Sequence, residues 1–205
     1  MVAGFITFSG FSILLYRICR CCRRIYVKLL HTVFHALAIP CVAIGFLAVL
    51  DSRNFNRPEA IPNFYSLHSW IGLVTMGLFA IQFVVGFFSF LLLLCCEGAT
   101  AQFRASLVPI HASFGLTTFM LAIAACLTGL TQKVIESLGY AAHIAYSFFT
   151  NQLRHCRDTY HQWKDEGIVV NALGMVLVAL GILVSYAVRS PSPKGDTKVY
   201  VTERL

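Results

Sequence analysis

Lys28-Leu29-Leu30-His31-Thr32-Val33-Phe34-His35 is the stretch from which the rest of the chain can be read. A basic segment runs here straight into an apolar one, and two histidines four residues apart share one face of the helix that this pattern predicts. The flanking residues put both histidines just inside a membrane boundary. An imidazole at that depth is costly without a partner, so a polar group inside a membrane span is a functional-site candidate.

The composition agrees with a membrane span. Of 205 residues, 58% are hydrophobic and only 12% charged, with a mean hydropathy of +0.73. Soluble domains are nearer half apolar and a quarter charged. Long apolar stretches separated by polar ones predict a helix bundle rather than a barrel, whose strands alternate and run about 10 residues. The net charge of +7 gathers beside one membrane edge, which argues for positive-inside anchoring and against nucleic acid. Eight cysteines do not read as a disulfide framework or a zinc site. Cys19, Cys21 and Cys22 lie in the basic juxtamembrane segment, where reversible palmitoylation is a candidate. Cys95 and Cys96 end a later helix, Cys41 and Cys126 fall inside spans, and Cys156 is in a loop.

Five apolar segments occur in order, over about 1–16, 27–50, 64–94, 106–130 and 167–188, making residues 1–189 one transmembrane domain. The first is shorter than the ~20 residues a span needs, lacks the features of a signal peptide, and reads as the second half of a span. Arg17, Arg20, Arg23, Arg24 and Lys28 mark the cytosolic face. Pro40 predicts a kink in the second helix. Asp51 to Asn63, with Pro58 and Pro62, reads as an outer loop and Glu97 to Ser106, with Arg104, as a short cytosolic one. Thr131 to Gly167 reads as a long outer loop containing His143, His155 and His161, with an interfacial helix over Ser137 to Leu153. Residues 190–205 form a cytosolic tail expected to be disordered.

This topology carries a geometric expectation. The second and fourth helices both start at the cytosolic face, and each carries a histidine shortly after its basic flank, His31 and His111. At 1.5 Å per residue the two lie at matching depth. His68 begins the third helix from the other side and belongs to the opposite face. Two histidines facing each other across a bundle can hold a haem iron through both axial positions, and Phe34, Ala36, Phe114 and Gly115 would suit a flat macrocycle. The alternative is that each imidazole bonds a nearby backbone carbonyl. His35, one turn deeper, reads as a core or haem-edge residue, and the loop histidines as solvent-exposed.

Leu15-Tyr16-Arg17, Lys28-Leu29-Leu30-His31, Tyr65-Ser66-Leu67-His68-Ser69-Trp70, Arg104 with Leu107-Val108-Pro109-Ile110-His111, and Thr128-Gly129-Leu130 together resemble the cytochrome b561 family, in particular its lysosomal and ferric-reductase-like members. The resemblance implies a six-helix membrane protein with two b-type haems, passing electrons from cytosolic ascorbate to monodehydroascorbate or ferric iron outside. It implies that His31 and His111 ligate the cytosolic-side haem and His68 the outer one, that Arg24, Lys28 and Arg104 bind ascorbate, and that the protein is a homodimer. Clustered cations suit an ascorbate monoanion. Two departures stand out. The family has a His-Pro pair just upstream of the residues matching Met1 to Phe5, and that histidine is the partner of His68. The expectation is therefore either an amino-terminally truncated chain, lacking the family's first helix and part of its second, or a one-haem or impaired relative. Where many relatives have a histidine near the outer substrate, this sequence has Arg53, and its 131–167 loop is longer than usual.

The sequence thus predicts an all-α membrane protein, a haem-bearing ascorbate-dependent oxidoreductase embedded in lipid. The two haem levels would stand about 15 residues, or ~20 Å, apart. An endosomal, lysosomal or other vesicle membrane and the plasma membrane are all open. Two other readings remain: a haem-free transporter or proton relay using His31, His35 and His111, and a non-catalytic membrane subunit.

Overall fold

The computed structural model describes residues 2–55, 63–91, 97–149 and 156–190, with side chains described for 4–55, 63–91, 99–133 and 168–190. Every element among them is helical: α1 (Val2–Ile18), α2 (Arg24–Asn54), α3 (Leu67–Gly86), a π turn (Phe87–Leu91), α4 (Glu97–Phe149) and α5 (Cys156–Arg189). Among the described residues, four segments are long and apolar enough to cross a membrane: Arg24–Asn54, Leu67–Leu91, Ala99–Lys133 and Ile168–Arg189. Gly4–Ile18 is a shorter apolar helix beside them. The protein is an all-α transmembrane bundle.

Two segments read as loops are helix instead. Glu97 to Ser106 is the start of α4, and 131–149 continues the same 53-residue helix, while α5 already begins at Cys156. Hydropathy marks only the part of a helix that lies in lipid; the backbone ladder continues wherever polar side chains can face water. The expected interfacial helix is, up to Phe149, the end of α4. Helix α2 runs unbroken through Pro40, as α4 does through Pro109. Pro58, Pro62, Cys95, Cys96, His155 and the tail from Pro191 lie outside the described residues, as do the side chains of His143, Cys156 and His161.

Helix α1 packs chiefly on α2, and α3 on α4, while α5 closes the bundle against α4 and α1. Lipid is as apolar as leucine, so helices in a membrane are held by close packing and internal hydrogen bonds rather than by hydrophobic burial. The buried positions fit that rule. Ser9, Ser12, Ala38, Thr75, Thr118, Ala122 and Ala125 are small and buried, whereas Leu47, Ile81, Met175, Ile182 and Tyr186 point outward. The buried threonine hydroxyls are satisfied within their own helix, Thr75 Oγ1 donating to the Ile71 carbonyl at 2.7 Å and Thr118 Oγ1 to that of Phe114 at 2.8 Å. Phe5 meets Phe79 edge-on at 4.9 Å, tying α1 to α3.

One end of the bundle is basic. Arg17, at the end of α1, donates through Nη2 to the carbonyls of Val188 (3.1 Å) and Ser190. Those are carbonyls at the end of α5 that the helix itself leaves unpaired. The contact holds the α5 terminus beside the α1–α2 turn, where Arg20, Arg23 and Arg24 also lie.

Candidate functional site

His31 on α2 and His111 on α4 face each other across the bundle near this basic end, with ring centroids 6.3 Å apart and planes inclined at 68°. Zinc–imidazole nitrogen bonds run about 2.0–2.1 Å, and with roughly 1 Å more to each ring centre, two imidazoles opposed across one metal ion stand about 6 Å apart. The observed separation matches that figure. His35 lies only 4.6 Å from His31, edge-on, too near to oppose it by the same reckoning.

Each of the two rings is held by neighbours from other elements. His31 Nδ1 lies 3.0 Å from the Ser12 carbonyl oxygen and 2.8 Å from the Ser12 hydroxyl. A carbonyl cannot donate, so the proton sits on Nδ1 and the lone pair on Nε2, the nitrogen then available to a metal. Tyr16 of α1 packs edge-on against the same ring at 5.3 Å. His111 is flanked by Phe90, also edge-on at 5.3 Å. Phe90 comes from the π turn, a wide turn of a kind often found at functional sites. Gly86, just before that turn, lets α3 approach: a Cβ there would stand 3.0 Å from His111 Cε1.

Among the described residues, Ser9 Oγ (α1), His35 Nδ1 (α2), Gln82 Oε1 (α3) and His111 Nδ1 (α4) are buried without a hydrogen-bond partner. Nearly all buried polar groups in folded proteins are bonded, so each exception needs an explanation. Phe79, Gln82 and Gly86 follow one face of α3 at helical spacing, and that face meets His35 through Phe79 at 5.7 Å and His111 at Gly86. Opposed imidazoles amid unpaired polar atoms and aromatic rings fit a metal-bearing macrocycle. His35, read from the sequence as a core or haem-edge residue, has a buried Nδ1 with no partner among the described residues. The aromatic surroundings also differ from expectation. Phe34 packs on Phe8 and Phe11, Phe114 is exposed, Ala36 is exposed, and a Cβ at Gly115 would meet nothing within 4 Å. The rings that touch the histidines are Tyr16, Phe79 and Phe90, whose roles depend on packing between helices that linear spacing does not encode.

Arg24 and Arg104 each precede their helix's histidine by seven residues, two turns or about 10 Å along the axis, and Lys28 precedes His31 by three. Arg24 is exposed and Lys28 and Arg104 half-buried. Arg104 Nη1 donates to Thr100 Oγ1 at 2.9 Å, one turn back. All three cations belong to the basic end. Among the nearby thiols Cys21 and Cys22 are exposed and Cys19 half-buried, and the sulfurs of Cys21 and Cys19 raise the Cys22 thiol above its ordinary pKa.

His68 occupies the other end. Ser66 caps α3, its Oγ accepting from the Ser69 N–H at 3.3 Å, and so fixes His68 in the first turn. His68 Nδ1 donates to the Ala125 carbonyl at 2.8 Å, an oxygen that also accepts from Thr128 Oγ1 at 3.0 Å. The contact requires a glycine at 129, where a Cβ would come within 2.8 Å of His68 Cε1 and 2.9 Å of Nδ1. Fourteen residues of α4 separate His111 from Ala125, about 21 Å along the axis. Beyond His68, Gln132 Nε2 donates to Tyr65 Oη at 3.0 Å, and the Arg53 guanidinium lies 5.1 Å over the Tyr65 ring.

The sequence profile of eukaryotic cytochrome b561 matches residues 1–137. The lysosomal membrane ascorbate-dependent ferrireductase of Homo sapiens is 34% identical over 206 aligned positions, covering 100% of this chain and 76% of that protein. The plasma membrane ascorbate-dependent reductase of Mus musculus is 34% identical over 195, covering 94% of this chain and 59% of that protein. The transmembrane ascorbate-dependent reductase of Pongo abelii is 32% identical over 186, covering 91% and 64% respectively.

Proposed function

The chain belongs to the eukaryotic cytochrome b561 family, and from that premise we propose that it is an ascorbate-dependent oxidoreductase transferring electrons across a membrane to monodehydroascorbate or ferric iron. Cytochromes of this family bind haem. His31 and His111 would ligate haem b near the cytosolic face, and their opposition at 6.3 Å is the observation that carries the reading. His68, its Nδ1 engaged by Ala125 and its Nε2 lone pair therefore outward, would be a ligand at the outer level. When bound, haem b supplies a one-electron couple that no side chain has at ordinary potentials.

The chain's own residues do the rest. Arg24, Lys28 and Arg104 would draw the ascorbate anion to the basic end and favour its loss of a proton along with the electron. Ser12 keeps His31 in the tautomer that leaves Nε2 bare. Apolar side chains facing outward hold the bundle in lipid and keep bulk water from the histidines. At the outer end Arg53, held over Tyr65, suits an anionic acceptor, either the monodehydroascorbate anion or ferric iron carried by carboxylates. Relatives named for the lysosomal and the plasma membrane support either location for this chain, and a homodimer belongs to the same proposal.

The test is a reduced-minus-oxidised spectrum of the purified chain, with haem counted per polypeptide, followed by ascorbate-driven reduction of ferric citrate across proteoliposomes. The reading expects a low-spin bis-histidine spectrum that ascorbate reduces. A chain without a Soret band would overturn it.

A further inference from the structure

Ser12 lies outside the stretches that carry the family resemblance, yet it is the most completely buried polar residue among those described, at 0% exposure. The hydrogen bonds of its hydroxyl go to one residue on another helix. The hydroxyl donates to the His31 carbonyl oxygen at 3.0 Å and lies 2.8 Å from His31 Nδ1, whose N–H also faces the Ser12 carbonyl at 3.0 Å. The Nδ1 proton therefore has two acceptors from one residue. The other candidate ligands differ: His68 Nδ1 has the single Ala125 carbonyl, and His111 Nδ1 has none.

We infer that Ser12 is a positioning residue that sets the electron-donating strength of the His31 imidazole through a second acceptor on its Nδ1–H. Acceptors on the distal N–H of a metal-bound imidazole make the ring a stronger donor and fix its orientation. A stronger donor favours the oxidised metal, so Ser12 holds the cytosolic-side centre at a lower potential than the backbone carbonyl alone would. The hydroxyl is chemically separable from that carbonyl, which every residue at position 12 would supply. The inference rests on the proposal that His31 binds haem.

The experiment is a spectroelectrochemical titration of the haem-loaded full chain, comparing wild type with Ser12→Ala, Ser12→Cys and Ser12→Thr. Thr75→Val serves as a control, because Thr75 is also buried but bonds only its own helix. Ser12→Ala and Ser12→Cys should bind haem as the wild type does and raise the midpoint potential of the cytosolic-side centre. At a fixed ambient potential this means about a two- to tenfold higher ferrous-to-ferric ratio, the scale of one net hydrogen bond. Ser12→Thr, which keeps the hydroxyl, and Thr75→Val should titrate with the wild type. Unchanged potentials in both Ala and Cys variants overturn the inference, as does a Thr variant that shifts as far as Ala. Loss of haem from Ala and Cys alike also overturns it, assigning the hydroxyl to the fold instead. A wild-type chain that binds no haem defeats the haem reading itself, a result distinct from a haem-loaded series with one common potential.

Discussion

The two ends of the bundle treat their histidines differently. At the basic end two imidazoles from α2 and α4 oppose each other at 6.3 Å, and the Nδ1 atoms of His35 and His111 have no partner among the described residues. At the far end a single described histidine is tightly held, its Nδ1–H on the Ala125 carbonyl and its ring against Gly129. The difference teaches how ligand sites in a membrane bundle are specified. A pair needs two helices entering from the same face, so that equal distances from the boundary bring their side chains to one level. A histidine on a helix entering from the opposite face reaches that level only by crossing most of the bilayer.

The largest expected effect comes from removing one half of the pair. His111→Ala should abolish the low-spin bis-histidine spectrum of the cytosolic-side centre, while His68→Ala leaves it intact; equal spectra from the two variants would erase the distinction between the ends. Gly129→Ala should come next. Its new methyl must displace the His68 ring, at about 1–3 kcal/mol of overpacking, read as a lowered Tm in detergent. Gly86→Ala, with 3.0 Å to a single His111 carbon, should cost less and should instead perturb the haem spectrum. Lys28→Gln and Arg104→Gln should each raise the KM for ascorbate about three- to tenfold and flatten its dependence on salt, with the spectrum unchanged. Smallest is Arg17→Ala. It leaves the carbonyls of Val188 and Ser190 without their donor, costing about 1 kcal/mol and lowering Tm by a few degrees with no change in ascorbate kinetics.

Much of the basic end was legible in the linear sequence. The run Lys28 to His35 tells of a boundary and a helix, and the placing of His31 and His111 shortly after the basic flanks of two helices that start at one face tells of equal depth. Helix packing was not legible. Ser12 looks like any small residue in an apolar segment, and only the register of α1 against α2 turns it toward His31. Phe34 and Phe114, chosen as neighbours by sequence proximity, face elsewhere because adjacency along a helix is not adjacency across a bundle. The loop readings of 97–106 and of 131–136, ahead of the expected interfacial helix, fail for a related reason: hydropathy reports the solvent around a helix, and the helix itself outlasts the change of solvent.

The π turn at Phe87–Leu91 sets a limit on changes of length in this part of the chain. Such a turn holds one residue more than an α turn, so deleting a single residue within it would let the ordinary ladder close and re-aim the side chains inside the turn while the flanking helix kept its facing. Phe90 would leave the flank of His111, and point substitutions elsewhere would not restore it. The segment should therefore tolerate exchange of one side chain for another far better than any change in its length.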